Sequence, residues 1–328
     1  MMPVLYEKNE VAAMIAAGKK LLLAGGEQAL SELPAGFWIA GTIPYFMTGQ
    51  GGVFTRDRIY VTELPEYVLK AEVKIYDETN IHNVYNDAPQ HGFSVIIIPG
   101  SCRTHFTFAL NAPGFPGFAT RPLIGWIAGI ALDEEAALPR VFDGRSGQSL
   151  SNGAVVLHVE LPANKLVEID IVNIFEQGDG DTIVFLEDGF SATQALINGQ
   201  LKNFADYLYE NSIDTKLPLV ADLHGAMINT SFKSLGFAKR QVKFYAPVFA
   251  GYRYKIAKPV GDYMDHFLRQ VPEGVGEKLF FACNCILNYI YADLEGKKTA
   301  NFTGPITFGE IAYQLLNQTM AYLTIEDA

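Results

Sequence analysis

Apolar and polar residues fall into short blocks along this chain, and the period changes often. Glu7–Ala17 has helical spacing, followed by the apolar run Leu21–Ala24, which Gly25 and Gly26 close. A short helical stretch over 27–33 leads to the strand-like Phe37–Ile43. Strand, helix, strand is the unit that builds a parallel sheet. Further strands are predicted at Ile59–Leu64 and Phe93–Ile98, the second carrying a Val-Ile-Ile-Ile run expected of a strand covered on both faces. Residues 101–131, rich in Gly, Pro and aromatics, read as a loop packed on the body through Phe106, Phe108, Phe115, Phe118 and Trp126.

The middle of the chain alternates with period two. Val155, Leu157, Val159 and Leu161 share one face; beyond the turn at Pro162–Lys165, so do Val167, Ile169, Ile171 and Phe175. Two alternating runs around a short turn predict an antiparallel hairpin. A neighbouring strand follows at Thr182–Leu186, then a helix over Gln200–Glu210, with Leu201, Phe204, Ala205 and Leu208 at helical spacing. The last third predicts a β segment Gln241–Ile256, a helix Asp262–Leu268 and a strand Leu279–Ala282. After these come a helical stretch to Asp293, a strand Gly304–Thr307, a short helix from Glu310 and a closing strand Met320–Ile325.

The expected fold class is α/β of the mixed α+β kind, with mixed parallel and antiparallel sheets flanked by helices. It is expected in two lobes, 1–190 and 191–328. A faint internal echo supports this, since strand, helix, strand precedes both Gly41-Thr42-Ile43 and Gly309-Glu310-Ile311. Chance alignment of common patterns explains the echo equally well.

Composition narrows the functional classes. Of 328 residues, 49% are hydrophobic and 19% charged, enough for a sizeable core and the opposite of a disordered balance. Thirty-six acidic against 25 basic residues give a net charge of −11, a field that repels phosphate backbones and anionic lipid. Nucleic acid and membrane are therefore not expected partners. Leu33–Thr55 lacks a formal charge for 23 residues, but Pro34, Pro44 and five glycines break it, so buried strand and glycine-rich loop are expected rather than a span. Three cysteines (Cys102, Cys283 and Cys285) are too few and too badly spaced for a disulfide framework. Reduced thiols and the lack of a basic, apolar leader predict a cytoplasmic protein.

Catalytic signatures are missing: no G-x-S-x-G, H-E-x-x-H, P-loop or G-x-G-x-x-G occurs. Gly49-Gln50-Gly51-Gly52 reads as a loop between strands, with phosphate wrapping as the sharper alternative. Asp222-Leu223-His224 followed by Gly261-Asp262-Tyr263-Met264-Asp265 resembles the opening motifs of binuclear metallophosphoesterases, where carboxylates and imidazoles hold two metals. The third motif, Gly-Asn followed by His, Asp or Glu, is absent. The bland reading makes Asp262 a helix N-cap. Cys283-Asn284-Cys285 lacks the second thiol pair that a zinc site needs. His158 is expected on the polar face of its strand, solvated or partly covered. Cys102, Arg103 and His105 sit together at a strand end, where α/β folds place ligands.

The C-terminal stretch carries a resemblance. Phe281-Ala282-Cys283, Gly304, Gly309-Glu310-Ile311 and Asn317-Gln318-Thr319 resemble the C-terminal half of the FIST family of sensory modules, and Ile197-Asn198-Gly199 looks like the start of that half. Ile39-Ala40-Gly41-Thr42-Ile43-Pro44-Tyr45 is a looser match to its N-terminal half. The family's acidic residue there is replaced, and Leu287 and Asn288 stand where its Arg follows the Phe-x-Cys step.

The resemblance implies a divergent, non-catalytic sensory protein of bacterial signal transduction. Its ligand would be an amino acid or similar polar metabolite bound between lobes, and a separate signalling protein its partner. The side chains named for that ligand are Thr42, Tyr45, Arg103, His105, Asn284 and Glu310; Glu310 would take an ammonium and Arg103 a carboxylate. Glu310 as a first-turn helix carboxylate is the plainer alternative. No cofactor is expected. Haem, bound by some relatives, would find its axial ligand in His105. The alternatives are a metal-dependent hydrolase using Asp222, His224, Asp262 and Asp265, and an interaction protein without a ligand.

Overall fold

The computed structural model describes residues 5–134, 136–223, 225–236, 240–271, 274–300 and 302–328. It is a mixed α+β fold whose sheets combine parallel and antiparallel strands. The chain divides into two compact units: 1–172 with 271–315 and 320–328, and 173–270 with 316–319. The second is thus an insertion. The boundary expected at 190/191 falls inside it, within the strand Gly189–Ala192.

The first unit uses one pattern three times. Each module opens with a strand, a helix and a second strand parallel to the first. These are Leu21–Gly25, Glu27–Ser31 and Trp38–Thr42; Gly92–Pro99, Arg103–Asn111 and Leu123–Ala128; Leu279–Cys285, Ile286–Tyr291 and Gly304–Thr307. A helical crossover is the usual way to bring a chain back for parallel pairing. A two-stranded segment follows in each: Tyr45–Thr48 with Gly51–Phe54, Val141–Asp143 with Gln148–Leu150, Glu310–Ala312 with Gln314–Leu316. A strand then returns antiparallel to the first: Ile59–Glu63, Ala154–Glu160 and Met320–Asp327.

The two-stranded segments are exchanged in a circle. The first module's joins the third module's sheet, the second's joins the first's, and the third's joins the second's. Trailing strands are exchanged as well, in the opposite sense. Lys70–Tyr76 pairs with the second module's return strand and Lys165–Val172 with the third's, while Leu5–Tyr6 pairs with the first's. Three six-stranded sheets result. The echo between early and late segments therefore has a middle member, and neither copy corresponds to a lobe.

Burial explains why the opening strands are so apolar. Leu21–Gly25 and Trp38–Thr42 are buried at every position, and Gly92–Pro99 at all but Gly92. Gly129 is needed where the modules meet: a Cβ there would enter the ring of Phe308 from the third module.

Several expected elements differ. Residues 101–131 contain the helix Arg103–Asn111 and the strand Leu123–Ala128, because Trp126 and its neighbours fill a fully buried strand rather than cover the body. Ala154–Glu160 and Lys165–Val172 do not pair as a hairpin; they enter different sheets. Glu310 begins a strand, not a helix. The helix expected over 200–210 starts at Phe204, where Asn203 Oδ1 caps it by accepting from Asp206 N at 3.0 Å, and Gln200–Asn203 is a strand.

The second unit has its own core. Its larger sheet orders Gln200–Asn203, Gln194–Ile197, Ile183–Val184, Tyr254–Ile256, Leu219–Leu223 and Ala226–Thr230. The smaller holds Gly189–Ala192, Gln241–Val248 and Phe232–Gly236. Phe185, Phe204, Phe232, Phe244 and Tyr254 form an aromatic cluster, most pairs tilted or edge-to-face as ring quadrupoles favour. Among the described residues no helix is long and apolar enough to cross a membrane.

Candidate functional site

The connection from the second parallel strand to the two-stranded segment differs between modules. In the first it is Ile43-Pro44, in the third Phe308-Gly309, and in the second it runs from 129 to 140. Long connections on a repeated frame are where function concentrates. Beside this one lies a cleft of about 760 Å³, at the carboxyl ends of Leu21–Gly25 and Trp38–Thr42. Crevices at such strand ends are the usual ligand site of open α/β sheets.

Thr42 ties down both ends of the connection. Its carbonyl accepts from Gly129 N at 2.8 Å, and its backbone N donates to Arg140 O at 2.9 Å. Its Oγ1 accepts from Arg140 N at 2.9 Å. Arg140 Nε then reaches Glu27 at 2.7 Å, on the first module's helix. Between these ends, Arg56 Nε donates to Glu134 at 2.8 Å and Nη2 to Asp133 at 2.9 Å, with the guanidinium 4.7 Å from the Phe54 ring centroid. Leu132 N donates to Tyr45 Oη at 3.0 Å. Gly26 lets the first module's strand end pack directly on the Arg56 backbone, since a Cβ there would strike Arg56 O.

The named side chains all lie in the first unit, so the cleft expected between 1–190 and 191–328 is not what gathers them. Thr42 lines the cleft, and Tyr45 holds its loop from beneath. Arg103 is 84% exposed and reaches Glu78 at 3.7 Å. Glu310 has no exposed surface, and Thr307 Oγ1 donates to its Oε1 at 3.3 Å. One zwitterion cannot bridge a solvent-facing guanidinium and a sealed carboxylate, so the amino-acid pairing of these two is corrected.

His105 is buried, accepts from Ser101 N at 3.0 Å and stacks on Phe106 with centroids 5.4 Å apart; it is not among the residues lining the cleft. Asn284 joins a polar cluster in the third module. Its Oδ1 accepts from Asn288 Nδ2 at 2.9 Å and from Cys285 N at 2.7 Å. Cys283 beside it donates to Gly125 O at 3.4 Å, and burial together with the Glu310 charge pushes its thiol well up. Cys102 caps its helix, and burial raises its thiol too. All three cysteines are free thiols.

His158 is not solvated. Ser94 Oγ lies 2.7 Å from its Nδ1, and Tyr76 Oη 2.9 Å from its Nε2. Tyr76 in turn donates to Asp87 at 2.8 Å. That direction makes His158 Nε2–H the donor to Tyr76 and Nδ1 the acceptor from Ser94. Burial holds the imidazole down at about 4.

The glycine cluster 49–52 is a turn packed on the Leu294–Lys297 backbone, with Gly296 N donating to Gly52 O at 2.9 Å. In the second unit, Asp222 accepts from Gly225 N at 2.6 Å. Asp262 Oδ1 accepts from Asp265 N at 3.1 Å, the N-cap geometry read from the sequence, and Asp265 pairs with Arg269. His224 lies outside the described residues. Sequence reading missed Glu27, Arg56, Asp57 and Glu134. Their one local signal was the abrupt charge cluster Arg56-Asp57-Arg58 that ends the uncharged run 33–55.

Fold and site together define a three-module α+β protein with one expanded connection over a strand-end cleft. The chain belongs to a family of unknown function, DUF6976, whose model matches residues 6–326. Among curated proteins nothing matches it.

Proposed function

We propose that this protein is a small-molecule-binding module of sensory type, with its ligand in the cleft between the first module's strand ends and the connection 129–140. The supporting observation is the cleft of about 760 Å³, within the range that takes whole metabolites. It lies at the only one of the three equivalent connections that is expanded. The sensory part rests on the resemblance of the C-terminal stretch to FIST modules. A loop pinned at both ends and latched by exposed ion pairs gives occupancy a local readout for a signalling partner.

The reading is tested by thermal-shift screening of a metabolite collection on the wild type and on two variants that narrow the cleft from opposite walls, Ala137→Trp and Ser31→Trp. The expected result is a stabilising compound whose effect is lost in both. Ligands that stabilise the blocked variants as well as the wild type overturn the assignment to this cleft.

A further inference from the structure

Six strands end the three sheets of the first unit, and five of them are short or capped. Leu5–Tyr6, Gln148–Leu150, Gln314–Leu316 and Gly51–Phe54 have two to four residues each. Lys70–Tyr76 has seven, and Arg145 Nη2 donates to its Val73 O at 2.9 Å. Lys165–Val172 is different. Its eight residues all pair with Met320–Asp327 on one side, and among the described residues no backbone hydrogen bond reaches the other. An open row of N–H and C=O groups is a template for another strand, and proteins normally shorten, cover or charge such an edge.

The side chains of this edge sort by face. Leu166, Glu168 and Asp170 are exposed, whereas Val167 and Ile169 are half-buried. Ile171, on the face of Val167 and Ile169, is 42% exposed, so apolar surface is still open there. The bases nearby are taken, Lys165 by Asp327 and Lys278 by Glu326. Glu168 and Asp170 make no ion pair among the described residues, and Asp170 accepts from Tyr322 Oη at 3.3 Å. A second copy of this strand, laid antiparallel about Ile169, would set Glu168 against Asp170, and like charges directly opposed are unfavourable. A strand with bases at alternate positions meets the opposite sign.

We propose that the outer edge of Lys165–Val172 docks an extended basic segment of a partner protein as an added strand. Main-chain hydrogen bonds supply the affinity and alternate side chains the choice of partner. The partner's Lys or Arg residues fall beside Glu168 and Asp170, and its apolar residues extend the row of Val167, Ile169 and Ile171. This edge and the cleft are separate surfaces, since none of residues 165–172 lines the cleft.

Fluorescence anisotropy of short labelled peptides titrated with the full chain tests the edge. One peptide alternates valine with lysine, and a second alternates valine with glutamate. The lysine peptide is expected to bind at least about tenfold more tightly than the glutamate peptide. Methylating the backbone nitrogens of either its valines or its lysines strips the donors from one of its two edges. One methylated form loses binding and the other keeps it, because only one edge meets the protein. Hydrogen-exchange mass spectrometry of the complex shows added protection within 165–172. Glu168→Gln with Asp170→Asn removes the preference for lysine, and Glu168→Lys with Asp170→Lys reverses it. Equal binding of the two unmethylated peptides, retention by both methylated forms, unchanged exchange over 165–172, or no binding at all overturns the proposal. In that last case the two carboxylates only guard the edge.

Discussion

Thr42 and Arg140 are joined by two backbone-directed hydrogen bonds, Arg140 N to Thr42 Oγ1 and Thr42 N to Arg140 O, each 2.9 Å. They are 98 residues apart in sequence and belong to different modules. One strand-end threonine thus closes a loop that its own module does not encode. Thr42→Val keeps the shape and leaves Arg140 N without its side-chain acceptor in a part-buried place. The expected loss is about 1 kcal/mol of unfolding free energy, with faster amide exchange at Arg140, and Thr42→Ser should restore both. Urea unfolding and hydrogen-exchange mass spectrometry measure the two effects.

The latch on the same loop should behave differently. Arg56, Asp133 and Glu134 are all more than two-fifths exposed, so the ion pairs contribute little to global stability. Arg56→Ala is expected to change unfolding free energy by less than about 1 kcal/mol, yet to speed proteolytic cleavage between 130 and 139. A large global loss with unchanged cleavage would show that Arg56 supports the core instead.

His158 gives the fold a pH dependence with a definite sign. Its folded value of about 4 lies below the ordinary 6.5, so the unfolded chain takes up the proton first. Stability from this residue is complete above the unfolded value and is lost as pH falls from about 6.5 towards about 4, on the order of 3 kcal/mol across the window. Urea midpoints measured from pH 7 to pH 4 should fall more steeply for the wild type than for His158→Gln. Parallel curves for the two would contradict the assignment.

Gly129 tests the meeting of the modules. Gly129→Ala drives a methyl into the Phe308 ring, and overpacking of this kind costs about 1–3 kcal/mol. Phe308→Ala is expected to be destabilising alone and to recover part of the Gly129→Ala loss when combined with it. A double mutant as unstable as the sum of the two places the strain elsewhere. Denaturant unfolding of all four proteins closes the cycle.

Much of the secondary structure was legible because local period and local burial agree. Leu21–Gly25, Gly92–Pro99 and Leu279–Cys285 are apolar runs, and the structure covers each on both faces. The acid-rich balance and lack of catalytic motifs could also be read directly. Pairing could not. Ala154–Glu160 and Lys165–Val172 show the alternation and the turn of a hairpin, but strand partners are chosen by contacts over a hundred residues away, such as Val167 with Ile325. Glu310 stands where a helix start reads well, yet its register opposite Trp126 makes it a sealed strand residue.

The site divides in the same way. Thr42 was named through the family resemblance of Ile39–Tyr45, and its place at the end of a buried strand follows from local pattern. Arg56 and Asp57 come from the first module, between Gly51–Phe54 and Ile59–Glu63, and meet Glu134 only because the second module's connection crosses to the first module's strand ends. No property of residues 129–140 by themselves points there. By itself the sequence determined most of the strands and helices and where the charge lies, since those follow largely from each residue's own size, polarity and spacing. The tertiary structure decided which strands pair and which side chains share a cleft, because hydrogen-bonded registers and burial are settled between distant segments that compete for one another's edges.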